Sequence, residues 1–418
     1  MRTTIMSVFA LLVSYFLLSV GHGLQNTLLG VRATLESYPD WIIGAMNSFY
    51  FIGFIVGTWV CTHLVTTVGH VRSFAAFATT ASSLVLLHQI FVTEGTWILF
   101  RFFYGACIAA LIMVIESWLN TLATRKNRGK ILSLYMVLSF LGLAMGQVLM
   151  YLGSPSEFLL YALVSIIISQ SFVPLIISKR IAQPIEIHTE HFGLKEMYKI
   201  SPTATIGCIM TGFMVSSFWG MGAVYFFQVG FNSSDVGLLI ACSIIGGLIL
   251  QWPVGILSDT FDRRRVIVGV LILLVVSSVG LTLSSNDERS VTWTIILATM
   301  GFGGSVYTLY SQFVALANDF LETKHIIKAS GTLLSLQAIG SIFGPIVVAV
   351  GMSVYGPSAL FLITEITAVM LATFIFIRMF VREIPEDTSV DTTYVPVPRT
   401  SAATLTELYS SELESGHH

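Results

Sequence analysis

The chain has 418 residues, of which 55% are apolar and only 11% are Asp, Glu, Lys or Arg, and its mean hydropathy is +0.82. A soluble domain carries about 25% charged residues, so a water-soluble globular protein is excluded and the chain belongs in a membrane. The net charge of −2 says little, because in a membrane protein the positions of Lys and Arg matter more than their sum.

Apolar runs of about 20 residues, enough to cross a ~30 Å hydrocarbon layer, recur twelve times. They cover 5–31, 41–65, 73–92, 96–119, 131–152 and 157–178, then 202–228, 236–257, 265–284, 292–317, 328–351 and 356–380. This predicts an all-α membrane protein of twelve transmembrane helices in two six-helix halves. The expected domains are an N-terminal half over 1–178, a cytoplasmic central loop over 179–201, a C-terminal half over 202–382 and a disordered tail over 383–418. An even number of spans puts both termini on one side, and 18 of the 21 basic residues then fall on that side. Both termini are therefore expected in the cytoplasm.

The first span begins IMSVFALLVSYFLLSV; no small-x-small cleavage site follows and the apolar run continues to Val31, so it reads as a span and not a secretory signal. It carries His22, Gln25, Asn26 and Arg32 at spacings that share one helix face in its outer half. Lipid rejects such a face. His22 titrates near neutral pH and is a candidate for proton coupling, with a hydrogen-bonded packing role as the alternative. Arg32 serves the same face or snorkels to the outer surface.

Span 4 begins ILFRFFYGACIAA and places Arg101 about 9 Å below its outer end. An arginine stays protonated, so it does not carry a proton. It attracts an anionic substrate group or modulates a neighbouring carboxylate, or else it is a structural residue bonded to span 1. Glu116, about 22 Å further along the same helix, is expected to pair with Arg72 or with the basic run from Arg125 to Lys130. Proton carriage is its alternative role. Gly53 and Gly57, Gly142 and Gly146, and Gly340 and Gly344 form small-xxx-small pairs that let helices approach closely. Cys61, Cys107, Cys208 and Cys242 all lie within spans, which argues against a disulfide framework and a paired metal site.

In the central loop, FGLKEMYKIS has the pattern of an amphipathic helix at the membrane surface. His188 and His191 lack a further ligand cluster and read as a solvated loop. Span 7 carries Trp219, Tyr225 and Gln228, and span 10 carries Tyr307, Tyr310, Ser311 and Gln312. Aromatic faces with a few polar tips suit a small amphipathic or ring-bearing ligand, with ordinary aromatic packing as the alternative. Between spans 8 and 9 the sequence GILSDTFDRRR concentrates charge, with five of the seven residues from Asp259 to Arg265 ionised. Glu365, in span 12, is expected to contact span 10 or 11. The polar tail from Glu386 has too little apolar surface to fold alone.

Gly255, Asp259, Asp262 and Arg263 to Arg265 resemble the G-x-x-x-D-x-x-G-R-K/R signature of the major facilitator superfamily, with Asp262 in place of the usual Gly. The equivalent turn between spans 2 and 3 keeps Gly69 and, close to the basic end, Arg72, but has Thr62 and Thr66 where the family has Gly and Asp. Arg101 and Gly105 resemble the family's R-x-x-x-G in span 4. GHGLQNTLLGVRATLE, IESWLN, NRGKILSLYM, QWPVGILSD, YTLYSQFVALAND and SGTLLSLQAIGSIFGP resemble a bacterial subfamily usually called YcaD-like.

The resemblance implies the major facilitator fold, with spans 1, 4, 7 and 10 lining a central cavity. It implies a cytoplasmic latch that includes Gly69, Arg72, Gly255, Asp259, Asp262, Arg263 and Arg264, which Glu116 would join through its expected basic partners. The superfamily's exporters carry a Gly-Pro-rich signature in span 5; GLAMGQV lacks the Pro, which leans toward import. No nucleophile–base set, phosphate-binding loop or metal spacing occurs, so an enzyme is not expected, nor is a cofactor, a metal or a nucleic-acid partner. The expected protein is a monomer in the bacterial inner membrane, moving a small organic solute by alternating access. Proton-coupled import (symport) of an anionic or zwitterionic substrate is the leading reading. Drug or metabolite efflux, and a non-transporting receptor or scaffold, are the alternatives.

Overall fold

The computed structural model describes residues 2–122, 127–177, 193–287, 290–321 and 325–381. Arg125, Lys126, His188, His191, Phe192 and the tail lie outside the described residues. Among those described, structure is helical: α1 (Arg2–Leu35), α2 (Asp40–Val68), α3 (His70–Ile90), α4 (Glu94–Leu122), α5 (Arg128–Val148), α6 (Phe158–Gln170) and α7 (Val173–Ile177) precede the central loop. After it come α8 (Leu194–Ile200), α9 (Pro202–Gln228), α10 (Ser233–Thr260), α11 (Arg263–Asp287), α12 (Trp293–Asn318), α13 (Ile326–Tyr355) and α14 (Ala359–Val381).

These match the expected spans in order, with α6 and α7 forming the sixth. Eleven described segments are long and apolar enough to cross a membrane. The remaining span is α12, which is as long as the others but carries Tyr307, Thr308, Tyr310, Ser311 and Gln312 among its apolar residues. The expected surface helix is α8, which buries Met197 and exposes Leu194 and Tyr198. The wide apolar exposure of lipid-side residues such as Trp59, Trp252, Val276 and Phe380 is what a chain in hydrocarbon needs, where every backbone group is satisfied within its own helix.

Packing divides the chain into two compact units. One comprises Met1–His188 with Gly220–Ala241, the other Thr189–Trp219 with Cys242–His418. The ends of α9 and α10 thus join the first unit, and the reason is local. Asn47 Nδ2 donates to the Gly220 carbonyl at 3.2 Å and Gln228 Nε2 donates to Asp40 Oδ1 at 2.6 Å.

Each unit is held by backbone-to-backbone crossings that only glycine permits. In the first, a Cβ on Gly53 would strike the Phe102 carbonyl of α4, and one on Gly105 the Tyr50 carbonyl of α2. In the second, Gly246 of α10 meets the Met300 carbonyl and Gly303 of α12 meets the Ser243 carbonyl in the same way. The crossing of α1 and α5, through Gly23 against Leu143 and Gly146 against Val20, recurs in α9 and α13 through Gly212 against Gln337 and Gly340 against Ile209. A side-chain tie recurs with it: Gln147 Nε2 donates to the Gly23 carbonyl at 2.8 Å, and Ser341 Oγ donates to the Gly212 carbonyl at 3.2 Å. The two units are built on one repeat, in which these glycines set the register.

Candidate functional site

Three helices of the first unit converge on one guanidinium. Arg101 of α4 is 1% exposed, and its Nη2 donates to Asn26 Oδ1 of α1 at 3.0 Å and to Asn47 Oδ1 of α2 at 2.6 Å. Its Cζ lies 4.8 Å from the centroid of the Tyr50 ring, a cation–π contact of about 0.5–2 kcal/mol. Helical spacing assembles the set, since His22 and Asn26, Asn47 and Tyr50, and Arg101 and Tyr104 are each one turn apart. Beside the guanidinium, His22 lies between two phenols, with Tyr50 Oη 3.3 Å from Nε2 and Tyr104 Oη 3.5 Å from Nδ1.

The guanidinium is not satisfied by this shell. Arg101 Nε and Nη1 are buried and have no hydrogen-bond partner, and no carboxylate among the described residues forms an ion pair with it. Gln25, 1% exposed on the same face of α1, has neither amide atom bonded to the protein. A buried charge without a counter-charge is costly, and the neutral ligands and the ring only partly offset that cost. The arrangement offers hydrogen-bond donors and a positive charge to an anionic group.

The other expected binding residues are more dispersed. Arg32 binds Glu36 at 2.6 Å, the Pro155 carbonyl at 3.1 Å and Gln89 Oε1 at 3.4 Å, which ties α1 to α3 and to the turn before α6. Gln228 is engaged by Asp40, and Tyr225 is buried edge-on to Phe226. Trp219, a quarter-turn-spaced neighbour of the Gly220 backbone on α9, is half-buried. On α12 the polar residues fan out. Ser311 accepts from Gln251 Nε2 of α10 at 3.4 Å, and Tyr310 lies one turn from Phe313, whose ring packs on Gly207 of α9. Gln312 is fully buried, with neither amide atom hydrogen-bonded to the protein. Tyr307 is buried one turn from Tyr310.

At the α10–α11 turn, Arg263 Nε donates to both oxygens of Asp319 at 3.1 and 3.0 Å, while Nη1 donates to Ser258 Oγ and Asp259 Oδ1, each at 3.1 Å. This joins α10, α11 and the end of α12. Asp262, which departs from the signature's Gly, accepts from the Arg264 backbone N–H at 2.8 Å and so caps α11. The Arg264 guanidinium lies 5.9 Å from the Phe320 ring centroid. Burial raises the Asp319 carboxyl above its usual range, against the opposite pull of Arg263.

In the first unit the corresponding turn uses Gly69 at φ 86°, a left-handed position that favours glycine. His70 stands at the register of Arg263 and bonds Ser117 Oγ at 3.1 Å. Arg72 is exposed, whereas Glu116 is 2% exposed and accepts from Tyr135 Oη at 2.7 Å. Arg125 and Lys126, in the basic run expected to pair with it, lie outside the described residues.

Asn47, Tyr50, Tyr104, Tyr135 and Asp319 were not among the residues expected from sequence. The available signal was proximity to the packing glycines: Tyr104 adjoins Gly105, and Asn47 and Tyr50 precede Gly53 by two turns and one turn on a face bound to be interior.

The arrangement has known relatives. The sequence profile of the Major Facilitator Superfamily matches residues 5–315 and 204–411. The MFS-type transporter YcaD of Escherichia fergusonii is 26% identical over 377 residues, covering 90% of this chain and 95% of that one; the YcaD of Salmonella arizonae is 29% identical over 377 residues, covering 89% and 94%. Among solved structures, the nucleoside transporter NupG superposes with a TM-score of 0.75 at 14% identity, covering 90% of this chain and 100% of that one. A bacterial homologue of the human lysosomal transporter Spinster, inward-facing and occupied, gives 0.69 at 15% identity, covering 90% and 98%. With its spans in order, its repeat and its profile match in agreement, the chain belongs to the Major Facilitator Superfamily and is a multi-pass membrane transporter of that fold.

Proposed function

We propose that the protein is a secondary active transporter that imports a small organic solute bearing an anionic or zwitterionic group, coupled to protons, with Arg101 receiving the acidic group. It works by alternating access as a monomer in the bacterial inner membrane, with both termini in the cytoplasm, as the distribution of Lys and Arg supports. One observation carries the substrate class: a fully buried guanidinium with Nε and Nη1 unpartnered. The repeat strengthens it. Counted from Gly303 as Arg101 is from Gly105, the second unit has Thr299, and Phe302 stands where the first has Tyr104. The same crossing therefore forms without the charge, so packing does not explain it.

Asn26, Asn47, Gln25 and His22 complete the site as hydrogen-bonding groups, with Tyr50 as its aromatic wall. Tyr225, in the same unit, remains a candidate for the less polar part of the ligand. Arg263, Asp259 and Asp319 form the latch at the cytoplasmic end, as the signature implies, with Gly255 and Arg264 on either side of it and the Gly69–Arg72 turn as its weaker counterpart.

The test is a thermal-shift panel of the purified full chain against carboxylates, amino acids, phosphorylated metabolites, sugars, nucleosides and lipophilic cations, run beside Arg101→Ala. A ligand that binds the native state raises apparent stability by mass action, about 2.7 kcal/mol at a hundredfold excess over Kd. Stabilisation by an anionic or zwitterionic class, lost in the variant, is the expected result. Stabilisation by lipophilic cations alone would replace this reading with efflux. A native-state ligand that produces no solute flux in liposomes would replace it with a receptor.

A further inference from the structure

His88 of α3 is fully buried, and its Nδ1 lies 2.7 Å from the Leu84 carbonyl one turn earlier. A carbonyl only accepts, so Nδ1 carries the ring proton and donates. Nε2 is buried and has no hydrogen-bond partner. The ring stands edge-on to Trp97 and Phe100 of α4, with centroids 5.7 and 5.4 Å away, and Trp97 Nε1 donates to the His88 carbonyl at 3.0 Å. Trp97 lies one turn before Arg101 and Phe100 is its neighbour in sequence. The imidazole therefore sits at the depth of the guanidinium, whose charge acts on it. A second positive charge there is disfavoured by both burial and repulsion. The ring is neutral, and Nε2 presents a lone pair to which no protein group donates.

The second unit packs at the corresponding places without these groups. Counting from Gly69 to Asp262, from Gly105 to Gly303 and from Gly23 to Gly212, His88 corresponds to Leu281, Arg101 to Thr299 and Gln25 to Met214. All three of those are buried. An apolar side chain thus fills the place of His88 in the sister fold. Leaving a buried acceptor unpaired is costly, and packing does not call for this one.

We propose that His88 is a substrate-binding residue of the Arg101 site, with Nε2 accepting a hydrogen bond from a substrate hydroxyl, and that the substrate is therefore a small hydroxy acid. The proposal rests on the reading of Arg101 above and narrows the class it receives. The carboxylate meets the unpartnered Nε and Nη1 of Arg101, and the hydroxyl meets Nε2 of His88. An ammonium offers Nε2 the same hydrogen bond, but charge selects against it. No carboxylate among the described residues forms an ion pair with Arg101, so a monoanion neutralises the guanidinium, whereas a zwitterion leaves the buried positive charge unbalanced.

The experiment measures equilibrium affinities of the full chain in lipid nanodiscs for matched acids that differ in one group. The sets are lactate, propionate and alanine; mandelate, phenylacetate and phenylglycine; and β- and γ-hydroxybutyrate with butyrate and the corresponding aminobutyrates. His88→Asn keeps a donor for the Leu84 carbonyl but has no group at the Nε2 position, whereas His88→Gln places an amide oxygen there. In at least one set the hydroxy acid is expected to bind about tenfold more tightly than its unsubstituted and amino counterparts. That preference should vanish in His88→Asn, with the affinity of the unsubstituted acid unchanged, and return at least in part in His88→Gln. Equal affinity of hydroxy and unsubstituted acids in the wild type would overturn the proposal and leave Nε2 to an ordered water. Tighter binding of the amino acids, or a hydroxyl preference that survives His88→Asn, would overturn it as well, and so would an equal loss for both kinds of acid in His88→Asn, which would make the ring a packing residue. If His88→Asn fails to fold, His88→Leu, with the side chain used at the equivalent place in the second unit, takes its place. Arg101→Ala is run on every acid that binds. Arg101-dependent binding without a hydroxyl preference removes only this proposal and leaves the anion site standing, whereas no binding of any acid overturns both.

Discussion

Arg32 and Arg101 show how little a residue type says without its neighbours. Both are buried arginines in the first unit. Arg32 finds a carboxylate, an amide oxygen and a backbone carbonyl, whereas Arg101 finds two amide oxygens and a ring and keeps two nitrogens unpartnered. Arg32→Gln is therefore expected to destabilise the protein by about 1.5–3 kcal/mol, the scale of hydrogen bonds to a charged group, and to leave a ligand-induced thermal shift intact. Arg101→Ala should abolish that shift. Asn47→Ala should reduce it, because Asn47 steadies Nη2 without meeting the free edge. Thermal unfolding of the three variants with and without ligand separates the roles; equal loss of the ligand response in Arg32→Gln would merge them.

Helix packing rests on a small number of glycines. A methyl group at Gly53 or Gly246 would press on a backbone carbonyl, which has no rotamer to yield with, so Gly53→Ala and Gly246→Ala should each cost about 1–3 kcal/mol through overpacking. Gly269 of α11 has nothing within 4 Å of a built Cβ, and Gly269→Ala should be neutral or slightly stabilising, because Ala has less conformational freedom to lose. Denaturation midpoints in one detergent would check the contrast, and similar losses at all three positions would contradict it. The small-xxx-small spacing was legible in the sequence. The partner of each glycine was not, since spacing names a face and not the helix that lies on it.

The whole chain carries its charge unevenly, and its function is proposed to depend on that. The pairing of Asp319 with Arg263 was not legible in the sequence, because Asp319 lies far from GILSDTFDRRR and reaches Arg263 only when α12 packs against α11. If the Arg263 cluster latches the outward-open state, Asp259→Asn and Asp319→Asn should each move the distance between spin labels attached at positions Thr66 and Thr260 toward the cytoplasm-open population. Superimposable distributions would count against the latch.

Chain composition and hydropathy alone were sufficient to place the protein in a membrane, to order its twelve spans and to point to Arg101, because twenty-residue apolar runs and a charge within one of them are one-dimensional signals. The presence of α8 and the halves' shared design were also foreshadowed, the latter only as a count of six and six. Packing decided the rest: that Asn26, Asn47 and Tyr50 share one guanidinium, that Asp319 reaches Arg263, and that Glu116 meets a phenol. Those facts depend on which helix faces cross and at what depth, and crossing is set by glycines pressed against backbone carbonyls of helices far apart in sequence, which no local pattern encodes.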